Sequence, residues 1–175
     1  MRSIFFHEDD YLQLEVLPLA AKFFCLAQMG EIEAFAEEHW TGAGYSDVFQ
    51  REKVPCATKD LGLQGEQLAD TLAFLPAFDR VETGYGTYRE ECGETHARGL
   101  GQDLAVFWEE DGDRYVQAIW LELCIDPKQT ELACRVLQAL GTVASLMLAD
   151  WNWGICVNLA NSREIESYIE AKAKL

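Results

Sequence analysis

Apolar and polar positions recur along this chain with periods that predict its elements. Ser3 to His7 is a short apolar run. Tyr11 to Leu17 alternates, with Tyr11, Gln13, Glu15 and Leu17 on one face and Leu12, Leu14 and Val16 on the other. Glu8-Asp9-Asp10 between the two runs reads as a hairpin turn, and Pro18 closes the second strand. Ala20 to Met29 fits either a helix or extended chain. From Glu31 to Trp40 the period is helical: Ile32, Phe35 and Ala36 share a face, with Glu33, Glu37 and Glu38 on the other side. Thr41-Gly-Ala-Gly44 ends that helix, and Tyr45 to Arg51 reads as a strand. Leu68, Leu72 and Leu75 predict a helix from Gly65 to Leu75, with Pro76 as terminator. Phe78 to Tyr85 reads as extended. Gly84 to Gly101, rich in glycine and polar residues, is expected to be a long irregular loop, a length usually tied to function.

The clearest hairpin follows. Leu104 to Trp108 and Tyr115 to Leu123 flank Glu-Glu-Asp-Gly-Asp, where Asp111-Gly112 supplies left-handed turn positions. Pro127 is expected in the first turn of a helix with Asp126 as its N-cap. Leu132, Val136, Leu137 and Leu140 continue that helix, and Gly141 is expected to end it. Val143 to Asp150 and Ile155 to Leu159 predict a second hairpin around Trp151-Asn-Trp-Gly154. Asn161 or Ser162 caps a last amphipathic helix with Ile165, Tyr168 and Ile169 inward. Hairpins outnumber crossovers. The expected fold is therefore α+β, a mainly antiparallel sheet built from hairpins with helices packed against it.

Composition supports a folded chain. Its 175 residues, 49 % hydrophobic and 11 % aromatic, suit one domain spanning 1–175. No apolar run approaches the ~18 residues of a membrane-spanning helix. The three apolar residues Ile4 to Phe6 are too few for a signal peptide, so a cytoplasmic location is expected. The six cysteines, with no C-x-x-C among them, then read as reduced thiols.

Charge changes the picture. The formal net charge is −16 and it sits in blocks. Residues 1–50 hold nine acids against Arg2 and Lys22. Residues 81–126 hold eleven against Arg89, Arg98 and Arg114. If the blocks meet in the fold, their field attracts basic partners and repels nucleic acid and anionic membrane.

No phosphate loop, dinucleotide fingerprint, nucleophile elbow or H-E-x-x-H motif occurs. Glu8, Asp9 and Asp10 beside His7 offer hard-metal oxygens, or form a solvated turn. Cys92 and His96 lack the further ligands zinc needs. Glu90, Glu91 and Glu94 beside Cys92 disfavour a thiolate, which argues against a cysteine nucleophile. These acids, with Tyr85, Tyr88 and Arg89, form an exposed polar loop, a contact surface or an acid–base pair. Glu109, Glu110, Asp111 and Asp113 crowd one hairpin tip, as a solubilising edge or as a face for a cation. Trp151 and Trp153 read as packing against a turn, with a ligand platform as the alternative.

In general character, through Glu8-Asp9-Asp10, Tyr88-Arg-Glu-Glu91 and Glu109-Glu110-Asp111, the chain resembles bacterial immunity proteins of polymorphic and contact-dependent toxin systems. The resemblance implies a cognate toxin domain, often a basic nuclease, blocked by an acidic surface. The expected function is non-enzymatic neutralisation of a basic protein. Its partner-binding residues would be Glu8, Asp9, Asp10, Tyr85, Tyr88, Glu90, Glu91, Glu94, Glu109, Glu110, Asp111 and Asp113. No catalytic residue, metal, cofactor, nucleic acid or membrane is expected, and the chain should be a monomer or a weak homo-oligomer. The alternative is a divalent-metal hydrolase using Glu8, Asp10, Glu90 and Glu91.

Overall fold

The strands close into two sheets packed against each other. The computed structural model describes residues 1–124 and 127–174. Among these the elements run β1 (Ser3–His7), β2 (Leu14–Pro18), α1 (Lys22–His39), α2 (Gly65–Thr71), β3 (Arg80–Gly84), β4 (Glu90–Glu91), β5 (Thr95–Gly101), β6 (Leu104–Glu110), β7 (Val116–Leu123), α3 (Thr130–Val143), β8 (Leu146–Asp150), β9 (Ile155–Asn158) and α4 (Ser162–Lys172). The larger sheet has the order β5-β6-β7-β2-β8-β9 and is antiparallel throughout. In the smaller sheet, β1-β3-β4, the first two strands run parallel. The fold is α+β with a mainly antiparallel sheet.

Period-two alternation decides which cover each face receives. Val106, Trp108, Ile119 and Leu121 point to one face, where Leu68 of α2 and Leu72 just after it, Val136, Leu137 and Leu140 of α3, and Ile165 and Ile169 of α4 pack. The intervening Ala105, Phe107 and Trp120 point to the other face, covered by Ile4 and Phe6 of β1 and Val81 of β3. Beside them Cys25 and Met29 of α1 cover Leu17, Met147 and Ala149. Each large apolar side chain taken out of water contributes about 1.5–3 kcal/mol. Cover on both faces explains why Leu104–Trp108 and Leu146–Ala149 are unbroken apolar runs.

Several expectations need correction. Glu8–Asp10 is a 3-10 turn, not a hairpin turn, because β1 and β2 belong to different sheets. The apolar β1 covers the rings of Phe107 and Trp120, and Leu12 takes a left-handed backbone (φ 57°) as the chain swings away. Ala20–Met29 and Glu31–Trp40 join in one helix, α1. Phe23, 85 % exposed, and Leu26 face outward and blur its period. Tyr45–Arg51 forms no strand and keeps only a single bridge, Trp40 with Tyr45. The α-helix begun at Gly65 closes at Thr71, and turns carry the chain on to Leu75.

Gly84–Gly101 is no irregular loop: it holds β4 and β5, and β5 pairs with β6 from Thr95 to Gly101. In the β6–β7 turn the left-handed residue is Arg114 (φ 65°), while Asp111 Oδ1 accepts the backbone N–H of Asp113 and Tyr115. Pro127 precedes α3, which starts at Thr130; the expected N-cap Asp126 lies outside the described residues. Gly141 lies inside α3, where a Cβ would collide with the Leu159 carbonyl. Asn161 caps α4, its Oδ1 accepting the N–H of Arg163 at 3.1 Å.

Candidate functional site

Glu109 follows Phe107 by two residues, so it leaves β6 on the face that meets the small sheet. There it borders a cavity of about 510 Å³, lined also by Phe6, Glu8, Tyr11, Cys92, Glu94 and Trp120. The floor is aromatic. Trp120 meets Phe6 edge to face at 5.2 Å and Tyr11 at 4.9 Å, and Phe107 stacks on it at 5.4 Å. The rim is acidic. Glu8 arrives at the end of β1 and Glu94 from the β4–β5 turn, where the backbone N–H of Glu110 donates to the Glu94 carbonyl at 2.9 Å. No lysine, arginine or histidine lines this cavity, and neither Glu8 nor Glu94 has a cationic partner among the described residues.

The carboxylates act on their neighbours. The Tyr11 hydroxyl donates to Glu109 Oε2 at 3.1 Å. Burial, then the Glu109 charge and that hydrogen bond, push the Tyr11 phenol up to about 12. Burial first, and then Glu90 and Glu109, raise the Cys92 thiol, which is therefore a poor nucleophile. Tyr88 donates to Glu90 Oε2 at 2.9 Å, and that bond and charge raise its own phenol.

The other expected residues divide. Tyr85 tilts over His7 at 5.0 Å, and the backbone N–H of Asp9 donates to Nδ1 of the same imidazole at 3.2 Å. Glu91 is paired at 3.1 Å with Arg80, which also holds Glu82 at 3.0 Å. Asp113 is exposed at the hairpin tip. Asp111 is spent on its own turn, its Oδ2 accepting from the Gln117 amide at 2.9 Å. Glu110 does not face solvent. A register shift after Glu109 turns it to the helical face, where it is 6 % exposed. Its carboxylate accepts from Trp108 Nε1 at 2.9 Å and Arg114 Nε at 3.4 Å, and His96 Nε2 lies at 3.5 Å. It also fills the space that a Cβ at Gly65 would need.

Asp10 turns away to a second cavity of about 380 Å³ that it shares with Gln13, Gln102 and Glu122. Burial first, then the Asp10 charge, raises the Glu122 carboxyl to about 7. Its Oε2, like the Trp120 indole nitrogen, is buried and has no hydrogen-bond partner among the described residues. Among the described residues no three His, Cys, Asp or Glu side chains converge to hold a metal ion. Glu8, Asp10, Glu90 and Glu91 accordingly do not form one ligand set.

Tyr11, Trp120 and Glu122 are absent from the sequence-predicted site. Alternation put Tyr11 on a strand face and Trp120 in a core strand; only the second sheet turns them into a cavity wall. Comparison with known proteins finds no family model, curated protein or solved structure that matches the chain.

Proposed function

We propose that this protein is a non-enzymatic binder that neutralises a basic protein partner, in the manner of an immunity protein that blocks a bacterial toxin domain. The observation that carries this reading is the aromatic-floored cavity whose rim holds Glu8, Glu94 and Glu109 and no cation. A lysine or arginine side chain entering it would meet ring faces below and carboxylates around it. Cation–π contact in such a partly dry site is worth ~1–2 kcal/mol. Among the described residues Glu8 and Glu94 have no cationic partner, so the incoming cation displaces no ion pair of theirs. The surrounding charge steers a basic partner inward and raises its association rate by ~10–10³-fold at low salt.

The test is capture of the partner from native lysate, followed by association rates across ionic strength. The expected partner is basic, its association slows at least tenfold as salt rises, and Glu94→Gln with Glu109→Gln removes most of that salt dependence. A salt-independent rate, or an acidic partner, would refute the reading.

A further inference from the structure

A second surface, sharing no residue with the acidic cavity, lies along α1. From Phe23 to Gln50 the chain has no lysine or arginine, and it carries Glu31, Glu33, Glu37, Glu38 and Asp47. All five are exposed, and none forms an ion pair among the described residues. Between them runs a groove of about 540 Å³, formed by Ile32, Phe35 and Ala36 of α1 and by Tyr45, Val48 and Phe49 of the segment after it. Asp47 is the one charged residue in its lining.

The groove is built rather than incidental. The backbone N–H of Ser46 donates to the His39 carbonyl at 3.0 Å, and Thr41 donates to Gly44 from both its N–H (2.9 Å) and its hydroxyl (2.7 Å). Phe49 meets Phe35 edge to face at 5.4 Å, and Phe35 stacks on His39 at 3.8 Å. These contacts fix the wall, yet Val48 stays 86 % exposed and Tyr45 63 %. A volume of this size accepts several side chains.

The charges select the occupant. At 100° per residue, Glu31 and Glu38 flank Phe35 on one side of the groove and Glu33 lies beyond Ala36 on the other, while Glu37 falls on the back of the helix. Folding gains nothing from them. Glu33 and Glu37 repel each other at i,i+4, and the last turns of a helix favour cations. A second copy of this chain docked about a two-fold axis would set these acids against their own counterparts. An anionic membrane would be repelled likewise.

We propose that this groove binds a cationic segment of another protein, one whose aliphatic or aromatic side chains fill it while flanking lysines or arginines meet Glu31, Glu33, Glu38 and Asp47. The site goes beyond the acidic cavity and stands or falls separately from it.

The test uses the whole protein and three dye-labelled synthetic peptides of one length: leucine–lysine, leucine–glutamate and glutamine–lysine, each patterned to be amphipathic. Fluorescence anisotropy at low salt should show the leucine–lysine peptide binding saturably, at least tenfold tighter than either other. Val48→Lys, at a position too exposed to disturb folding, should weaken it at least tenfold. Glu31→Gln with Glu38→Gln should weaken it several-fold, and Glu66→Gln, exposed on α2, should leave it unchanged. Absence of saturable binding overturns the proposal. So does equal binding of the leucine–glutamate peptide (apolar stickiness) or of the glutamine–lysine peptide (charge alone). Loss of binding through Glu94→Gln but not Val48→Lys moves the peptide to the acidic cavity. A dimer in sedimentation that Val48→Lys dissolves makes the occupant a second copy.

Discussion

The ammonium of Lys172 stands 2.9 Å from Oδ2 of Asp150, a carboxylate with no solvent exposure. The Tyr168 hydroxyl donates to the same oxygen at 2.9 Å, while Oδ1 accepts the backbone N–H of Asn152 (3.1 Å) and Trp153 (3.0 Å). Burial and the Asp150 charge hold the Tyr168 phenol far above its ordinary value. One side chain thus ties the β8–β9 turn to the end of α4. Removing half of a buried pair strands the other half, at a cost of about 3–5 kcal/mol. Asp150→Ala should lose that much in urea unfolding, and Asp150→Asn, which keeps the turn's acceptor, distinctly less. Equal losses would show that charge, not hydrogen-bond geometry, holds the corner.

Glu122 gives a pH signature. Its carboxyl is ordinary, at 4.5, in the unfolded chain and about 7 in the fold. Between those values the folded state holds the extra proton, so stability falls as pH rises; the full shift corresponds to about 3 kcal/mol, which solvent screening of this partly exposed carboxyl reduces to on the order of 2 kcal/mol. Glu122→Gln should therefore melt higher than the parent near pH 8 and match it near pH 5, with thermal unfolding as the readout. A difference that does not change with pH would contradict this assignment.

Tyr11 reports on Glu109. Glu109→Gln removes a charge and should bring the phenol down from about 12 towards the usual 10. Tyrosinate absorbance, compared with a Tyr11→Phe control, measures it. An unmoved titration would mean that burial alone sets the value.

The acids of α1 oppose their own helix. Glu37→Gln and Glu38→Gln should each raise stability, by ~0.3–1 kcal/mol at low salt and less at high salt. Scanning calorimetry at two ionic strengths decides. A loss of stability would mean the carboxylates have structural partners in solution.

Gly141 is needed for contact rather than for a helix end. Gly141→Ala pushes a methyl into the Leu159 carbonyl and should cost ~1–3 kcal/mol, although alanine is the better helix former. A stabilised variant would show that α3 and the chain after β9 separate easily.

What could be read from the sequence follows a physical rule. Local pattern was enough for the β6–β7 and β8–β9 hairpins, for the inward face of α3 and for the Asn161 cap, because each is decided within a few residues. It misled where a distant partner decides. The acid triplet after His7 reads as a turn between neighbours, yet β1 pairs with Arg80–Gly84. Thr95–Gly101 has the glycine and polar content of a loop and becomes a strand because β6 offers it an edge. The site divides in the same way. Exposure of Glu8, Glu90 and Glu94 follows from their charge, but the aromatic floor exists only where the two sheets meet. Glu110 looks like its neighbour Glu109 until a one-residue shift in register buries it.

The place of β2 between β7 and β8 bears on how the chain is made. Leu14, Val16 and Leu17 are synthesised before either of their flanking strands, which end only at Leu123 and Asp150. Until then an apolar strand has both edges open, the condition under which nascent chains aggregate or engage chaperones. The middle of the larger sheet is thus made well before the strands that enclose it, and no translation product ending before Asp150 can complete it.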